Sequence, residues 1–293
     1  MDSGMNGEAG RKVVSICVNY NDEESTCAFV REILHQRDSD SLAVIVVDNS
    51  ETCYLHPKLE GLGLSDSRVT VLKAERNLGY FGAAAWALRH YLAGSLMPGW
   101  LLVSNTDITF PESDFFVKLD RYDSGAPPAV LAPSIVSAGS GRDQNPFMQR
   151  RPKRQLMLFY EMIFRYYSLY LTYQTLAYAK QNLCTYLYKY AGGLNKTSID
   201  VCKRAMPIYA PHGSFLLFHR TYFDAGGSLD YNMFLFNEEI FVAETVRRMD
   251  MKVLYDPSFC VAHKEHATTG IYKNRSLVRH VSRSLRYCAD NYF

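Results

Sequence analysis

The fold of this chain is decided near its start by two apolar runs, VVSICV at residues 13–18 and AVIVVD at residues 43–48. Between the runs, Cys27, Val30 and Ile33 recur at helical spacing, so the stretch predicts a strand, a helix and a second strand. The alternation continues with strand-like segments at 69–73, 100–103 and 130–132 and helical segments at about 82–92 and 114–119. Short buried strands that alternate with helices predict an α/β fold, in which a mostly parallel sheet is flanked by helices.

Composition sets limits on the class of protein. An apolar fraction of 47% is typical of a globular protein with a full core, and a net charge of +2 gives no reason to expect a nucleic-acid partner. The seven cysteines are widely spaced without a C-x-x-C pair, which favours reduced cytoplasmic thiols over disulfides or structural zinc. We expect a disordered leader at 1–11, and no apolar run is long enough to predict a membrane-spanning helix.

The amino-acid composition of the chain changes at about 150–192. This stretch contains seven basic residues but a single acid, Glu161, and nine of the 21 tyrosines lie in the same helical pattern. We therefore expect one α/β domain over 12–275 that is interrupted by a basic, tyrosine-rich helical insertion. The tail at 276–293 predicts a basic C-terminal helix.

Polar side chains follow three of the predicted strands. Asn19 and Asn21 follow the first, Asp48 ends the second, and Asn105 and Asp107 follow the strand at 100–103. Ligands of such sheets bind beyond the carboxyl ends of the strands, so these side chains are expected to share one crevice. Asp107 could hold a hard cation beside a nucleotide diphosphate, and Asp48 could contact a ribose or a base. A simple turn is the alternative for both aspartates.

A second candidate element is the glycine turn that precedes the helix at 82–92. Arg76, Asn77 and Gly79 lie in it, and such a turn lets a phosphate approach backbone N–H groups at a helix start. Glycine turns before helices are common, so this motif alone is weak.

A pair of acids opens a later predicted helix. Glu238 and Glu239 fall in its first turn, where the helix dipole favours an ionised carboxylate, which is the form that a general base needs. Ordinary helix-terminus charge is the alternative. His263 follows a strand and is a candidate metal ligand or a donor to a pyrophosphate, and a surface or capping residue is the alternative. Gly213, after His212 and before another strand, indicates close approach to a ligand, and simple packing is the alternative for the histidine.

In this order along the chain, the motifs resemble glycosyltransferase family 2, and within it the rhamnosyltransferase-like branch that acts in bacterial surface polysaccharide assembly. The resemblance spans about residues 13–269. Its matching pieces are VSICVNYN at 14–21, VVDNS at 46–50, NLGYFG at 77–82, NTD at 105–107, GSFLL at 213–217, FLFNEE at 234–239, RR at 247–248, DP at 256–257 and VAH at 261–263.

The resemblance implies a GT-A (Rossmann-like) fold and an inverting transfer of rhamnose or a hexose from a dTDP- or UDP-sugar. In the family's pattern Asp48 contacts the nucleoside, Asp107 binds diphosphate and a Mg²⁺ or Mn²⁺ ion, and His263 completes the metal site. Glu239 is then the base. The implied acceptor is a saccharide or lipid-linked saccharide of the O-antigen or capsule type.

Two positions depart from the family's pattern. Asn105 replaces the first aspartate of the D-x-D motif, and a glutamate replaces the commoner aspartate at Glu239. Glu238 is therefore a rival base, and a catalytically dead, glycosyltransferase-like binding subunit is an alternative. A nucleotidyltransferase is a second alternative, although its usual glycine- and arginine-rich loop is missing after the first strand.

The insertion has a hypothesis of its own. A basic, tyrosine-rich amphipathic helix suits the headgroup layer of an anionic membrane, so peripheral contact with the cytoplasmic face of the inner membrane is expected. A helical hairpin that packs on the sheet or at a homodimer contact is the alternative.

Overall fold

One mixed β-sheet with helices on both faces organises the chain. The computed structural model describes residues 12–123, 125, 127–190, 204–264 and 273–293, so the expected leader at 1–11 and the end of the insertion lie outside the described residues. The strands are β1 (Val13–Asn19), β2 (Leu42–Asp48), β3 (Val69–Lys73), β4 (Trp100–Ser104), β5 (Ile108–Thr109), β6 (Val130–Ser137), β7 (Met206–Ile208), β8 (Phe215–His219) and β9 (Val253–His263). The helices are α1 (Glu23–Leu34), α2 (Pro57–Ser65), α3 (Tyr80–Leu92), α4 (Asp120–Asp123), α5 (Arg154–Arg165), α6 (Tyr167–Tyr190), α7 (Arg220–Asp224), α8 (Glu238–Arg248) and α9 (Arg275–Asn291).

The strand order is β3-β2-β1-β4-β8-β6-β9-β5, and β7 pairs with β9. Strand β1 pairs in parallel with β2 and β4, and β2 pairs in parallel with β3. The carboxyl ends of these four strands therefore lie at one edge, which we call the C-edge. The predicted α/β fold, with a mostly parallel sheet flanked by helices, is confirmed.

Strand β8 runs against the parallel strands and brings a later segment to the C-edge. Ser104 at the end of β4 lies opposite Phe215 at the start of β8. Strand β6 is antiparallel to β8 and parallel to β9, and Ser137 pairs with His263 at their ends. The residues that precede β8 and those that close β9 therefore meet the ends of the parallel strands.

Alternate residues of β1 belong to two different cores. Val14 and Ile16 pack with the apolar residues of α3, α8 and α9, whereas Val13 and Cys17 pack with those of α1 and α2. This alternation is the two-residue period of a strand. Because both faces are covered, the strands read as continuous apolar runs in the sequence.

Helix α1 begins where the first strand-end motif finishes. Asn21 has a φ of 54°, which turns the chain out of β1. The Asp22 side chain then accepts a hydrogen bond from Ser25 N and caps the helix, and Glu23 and Glu24 in the first turn suit the helix dipole. This cap fixes where the chain leaves the C-edge.

The expected insertion forms α5 and α6, and the basic tail forms α9. Helix α5 packs along α9, and residues of both helices contribute to the core on the α3 and α8 side of the sheet. No helix within the described residues is long and apolar enough to cross a membrane.

Candidate active site

Asn19, the last residue of β1, is fully buried beneath the C-edge and cross-links neighbouring segments by hydrogen bonds. Its Nδ2 donates to Asp48 Oδ1 at 3.1 Å and to Ser50 Oγ at 3.3 Å. Its Oδ1 accepts from Thr26 Oγ1 at 2.9 Å. Asn19 therefore ties β1 to the end of β2 and to the first turn of α1.

Asp48 is 1% exposed, and a lysine balances its negative charge. Its Oδ2 lies 3.2 Å from Lys73 Nζ, and its Oδ1 accepts from Asn19 Nδ2 and from Ser50 N. Burial raises the pKa of this carboxyl, but the hydrogen bonds from Ser50, Asn19 and Lys73 outweigh burial and hold the pKa below its ordinary value. Asp48 is thus an ionised acceptor at the end of β2.

A second network joins the loop after β2 to the start of α3. Asn49 Nδ2 donates to Asn77 Oδ1 at 2.9 Å and to Gly79 O at 3.1 Å, while Leu78 N donates to Asn49 Oδ1 at 2.8 Å. Gly79 has a φ of +74°, and a Cβ there would lie 2.0 Å from Phe234 O. Glycine is required here because no side chain fits between α3 and the loop that precedes α8.

Asp107 and His263, the two predicted metal ligands, lie together at the C-edge. Strand β5 sets Ile108 opposite His263, and Asp107 Oδ1 is 3.2 Å from His263 Nε2. His263 Nδ1 lies 2.8 Å from Gln144 Oε1, a contact that orients the imidazole ring. Nε2 then lies toward the Asp107 carboxylate, so the two side chains could act together as ligands of a divalent cation.

This donor set fits a divalent metal. The side chains of Asp107 and His263 are 16% and 11% exposed, so they are shielded but still reachable from the C-edge. An imidazole nitrogen beside a carboxylate oxygen suits a transition metal such as Mn²⁺ better than Mg²⁺, which prefers oxygen ligands. Within the described ranges, no group of three or more His, Cys, Asp or Glu side chains could hold a metal ion.

The segment before β8 connects the metal pair to the acid pair. A Cβ on Gly213 would lie 3.4 Å from Glu239 Oε2. The His212 ring is 5.9 Å from the His263 ring between centroids, and its Nδ1 lies 2.8 Å from Ser214 Oγ. His212 and Gly213 thus border both candidate centres, which the sequence separates widely.

Two residues in the left-handed backbone region precede the acid pair. Phe236 has a φ of 74° and Asn237 a φ of 62°, a conformation that costs a non-glycine residue about 1–3 kcal/mol. Phe236 N donates to Glu238 Oε1 at 2.9 Å, and Glu238 is only 6% exposed. The turn therefore folds Glu238 back over the start of α8, whereas Glu239 is half-buried beside Gly213.

Helix α9 stabilises this left-handed turn. Asn237 Nδ2 donates to Ser284 Oγ at 2.8 Å, and Ser284 Oγ donates to Phe236 O. Tyr231 OH donates to the same carbonyl at 3.0 Å. Because Ser284 is fully buried, these bonds offset the backbone strain in the turn that orients the acid pair.

Burial raises the pKa of both carboxyls of the acid pair. For Glu238, repulsion from the neighbouring Glu239 raises the pKa further. For Glu239, burial is the main cause and a backbone hydrogen bond opposes it. Adjacent buried carboxylates do not both ionise readily, so the pair retains a proton at a higher pH than an ordinary glutamate.

The remaining predicted residues lie at the rim of the C-edge. Arg76 and Asn21 are exposed, and Asn105 is half-buried. Asn21 N donates to Ser50 Oγ at 3.0 Å, and Asn105 N donates to Ser214 O at 2.9 Å. The backbones of Asn21 and Asn105 are therefore fixed at this edge.

Several side chains that position the site are not singled out by sequence reasoning. Lys73 ends β3 and could have been found as a cation next to a strand-end aspartate. Gln144 and Ser284 have no local signal, because their partners His263 and Phe236 are 119 and 48 residues away. Only the assembled fold brings these residues to the site.

Known proteins resemble this chain in sequence and in fold. The sequence profile of glycosyl transferase family 2 matches residues 15–189, more than half of the chain. The chain is similar to the crystal structure of GalNAc-T7 with UDP, GalNAc and Mn²⁺, with a TM-score of 0.58 and 14% identity over 96% of this chain and 49% of that one. It is also similar to the mannosyltransferase PcManGT from Pyrobaculum calidifontis in complex with GDP-Man and Mn²⁺, with a TM-score of 0.52 and 13% identity over 94% and 64% of the two chains.

The two structural likenesses bear on the fold, since their identities are low and this chain spans about half of the first protein and less than two thirds of the second. No curated protein sequence matches the chain. The sheet order, the helices on both faces and the two likenesses agree with the predicted GT-A architecture. With the profile match over residues 15–189, the chain belongs to glycosyl transferase family 2 and has the GT-A fold.

Proposed function

We propose that this protein is an inverting glycosyltransferase that moves a sugar from a nucleoside diphosphate sugar to a saccharide acceptor. One observation carries the proposal: Glu239 lies beside Gly213, while His212 faces His263 of the metal pair. In the proposal, the base and the diphosphate-binding centre lie on either side of this short segment, His212–Gly213. An acceptor hydroxyl activated on the base side attacks opposite the leaving diphosphate, and this in-line displacement inverts the configuration of the anomeric carbon.

The donor half of the site is formed by the parallel strands. In the proposal, Asp48 and Asn21 contact the nucleoside, and Arg76 and the turn at Asn77 contact the phosphates. Asp107, with His263, holds the diphosphate end. A divalent cation bound at this pair supplies charge neutralisation for the leaving diphosphate.

Glu239 is the better base of the acid pair. Glu238 Oε1 accepts from Phe236 N, which occupies that oxygen and holds the side chain over the helix start. Glu239 Oε2 instead faces Gly213, where an acceptor hydroxyl can approach. Its raised pKa makes Glu239 a stronger base near neutral pH than an ordinary glutamate.

The finer specificity extends this proposal. The donors favoured by the resemblance are dTDP-rhamnose and UDP-hexoses, and the acceptor is a growing surface polysaccharide or its lipid-linked precursor. The matched profile ends at residue 189, so Glu239 and His263 lie beyond it and their roles rest on the geometry described above.

A donor panel tests the proposed activity. With Mn²⁺ present, one nucleotide sugar among UDP-, dTDP- and GDP-linked candidates is expected to stabilise the protein, by about 2.7 kcal/mol at 100 times its Kd. The same donor should release its nucleoside diphosphate when an acceptor saccharide is added. Binding without any release of nucleotide would support the dead-subunit alternative. Formation of a nucleoside triphosphate and a sugar 1-phosphate when pyrophosphate is added in place of the acceptor would support a nucleotidyltransferase.

The membrane part of the proposal rests on how α5 and α9 pack. Arg154 Nε donates to Ala289 O at 3.0 Å, and Ser282 Oγ donates to Glu161 Oε1 at 3.2 Å. The two helices are therefore antiparallel neighbours, and their outer sides form one surface. We call this surface the α5–α9 face.

The α5–α9 face has an apolar side and a basic side. Its exposed residues include Leu156, Phe159 and Met162 on α5, Tyr166 directly after α5, and Arg275, Arg279 and Arg283 on α9. Apolar groups beside a row of arginines are complementary to an anionic bilayer, in which the apolar groups enter the headgroup layer and the arginines meet lipid phosphates. The proposed occupant of this face is such a bilayer, as an inner leaflet presents it.

Vesicle flotation tests the α5–α9 face. We expect binding to anionic but not to zwitterionic vesicles, with loss of binding in the Arg279→Glu, Arg283→Glu double variant because each basic residue near the surface contributes about 1 kcal/mol. Phe159→Ser should also weaken binding, whereas Leu64→Ser, at an 84% exposed leucine on α2, serves as the matched control. Absence of binding at low salt would refute the membrane contact, and a dimer that the same variants disrupt would assign the face to a second copy.

A further inference from the structure

The Tyr80 hydroxyl is a buried polar group that the proposed reaction does not yet use. The atom is inaccessible to solvent and has no hydrogen-bond partner within the part of the chain that the structure describes. Unpaired buried hydroxyls are costly and therefore uncommon, so each one calls for an explanation such as a catalytic role or a partner that binds there. Tyr80 lies in the NLGYFG segment at 77–82, at the first position of α3.

Packing places Tyr80 between the two halves of the site. Its neighbour Gly79 lies against Phe234 O, in the loop that leads to the acid pair. Its other neighbour, Phe81, packs edge-on against Phe241, with 6.2 Å between ring centroids. Phe241 follows Glu238 by one helical turn, so the first turn of α3 faces the first turn of α8.

The charges around Tyr80 agree with this position. Burial raises the pKa of the Tyr80 hydroxyl well above its ordinary value, and the charges of Glu238 and Asp107 raise the pKa further. Both carboxylates therefore lie within electrostatic range of the hydroxyl. The group stays protonated at any working pH, so it is available as a hydrogen-bond donor.

We propose that the Tyr80 hydroxyl donates a hydrogen bond to an oxygen of the sugar that is transferred. The inference rests on the proposed function, in which the diphosphate lies at Asp107 and the acceptor at the acid pair. The transferred sugar spans the interval between them, and the Tyr80 hydroxyl lies within electrostatic range of a carboxylate at each end of it, Asp107 and Glu238. Tyr80 is thus a donor-sugar contact, separate from the nucleotide contacts at the parallel strands.

Two measurements on Tyr80→Phe test this inference. The first is thermal stability: because the hydroxyl has no partner among the residues that the structure describes, its removal should leave the melting temperature unchanged or raise it. The matched control is Tyr122→Phe, which loses a 2.8 Å hydrogen bond to Asp256 Oδ2 on the other face of the sheet and should melt lower. A melting temperature that falls as far in Tyr80→Phe as in the control would show a structural partner and overturn the inference.

The second measurement compares a nucleotide with its sugar conjugate, using calorimetry with UDP against UDP-glucose and with dTDP against dTDP-rhamnose. For the pair that the wild-type protein binds, Tyr80→Phe should bind the nucleoside diphosphate as the wild type does and the nucleotide sugar about tenfold more weakly. Tyr122→Phe should change neither affinity. Equal weakening of both ligands would place the contact on the diphosphate, and no weakening of either would remove it; either result overturns the inference but leaves the proposed transfer standing.

Discussion

Replacing Glu239 with glutamine is expected to lower kcat by about 100- to 10,000-fold, because the acceptor hydroxyl then loses the group that takes its proton. Glutamine keeps the size of the side chain, so the donor should still bind. The measurement is nucleotide release with a saturating donor and acceptor, together with donor affinity by calorimetry. A large loss of turnover with unchanged donor affinity is the signature of a base that acts in the transition state.

Glu238→Gln is the matched control for this prediction. Its amide oxygen can still accept from Phe236 N, so the turn before α8 is retained and the loss of turnover should be much smaller than in Glu239→Gln. If Glu238→Gln shows the larger loss, Glu238 is the base. If neither variant loses turnover, the acid pair is not catalytic.

The pH dependence of the wild-type protein follows from the same pair. A base must be ionised, and burial raises the pKa of Glu239 above the ordinary glutamate value of 4.5. As the pH falls, Glu239 is protonated earlier than an exposed glutamate, so kcat/KM should decline with a midpoint clearly above 4.5. A decline with a midpoint at or below 4.5 would contradict this placement of the base.

Asp107→Asn is expected to lower Mn²⁺ affinity by at least about 100-fold, since loss of even an outer-shell partner costs 10- to 100-fold in metal sites. The expected cause is the loss of anionic charge opposite His263 Nε2. The EPR signal of free Mn²⁺ measures this affinity directly in the presence of a nucleoside diphosphate. Nucleotide release should fall in parallel and should not recover at ordinary Mn²⁺ concentrations.

Two further variants make the metal prediction specific. His263→Ala should weaken Mn²⁺ binding in the same direction. Asp66→Asn is the control, because Asp66 precedes β3 at the opposite edge of the sheet and pairs with Arg68 at 2.7 Å. Unchanged Mn²⁺ affinity in Asp107→Asn would place the metal elsewhere or remove it from the mechanism.

Strand periodicity is the part of the fold that sequence reasoning captures best. Apolar runs predict the parallel strands, and the rule that ligands bind at strand ends brings Asp48 and Asp107 to one edge. The fold also places Asp107 and His263 together, with 3.2 Å between them, although 155 residues separate them in the chain. The order of the family-like motifs predicts from the sequence alone that these two residues share one site.

Other features follow from tertiary packing and have no local signal. The apolar run at 214–218 does not reveal the direction of β8. The left-handed turn at Phe236 and Asn237 contains no glycine; asparagine tolerates a positive φ, but nothing in the sequence indicates one at Phe236. The helix expected at 114–119 is reduced to a 3-10 turn at Val117–Leu119, because Phe115 packs edge-on against Phe215 and Phe259 and this contact overrides helical preference.

The reversal of β8 divides the site between two stretches of the gene product. In the proposed reaction, the nucleoside and phosphate contacts at Asn21, Asp48, Arg76 and Asn77 lie within the matched residues 15–189, whereas the segment before β8, the acid pair and His263 of the metal pair arrive later in the chain. The proposal therefore predicts that substitutions around Gly213 and the acid pair change which acceptor is used while these earlier contacts are retained. Strand β8 thus marks the point in the chain after which residues on the acceptor side can change during evolution while the nucleotide contacts that precede it are kept.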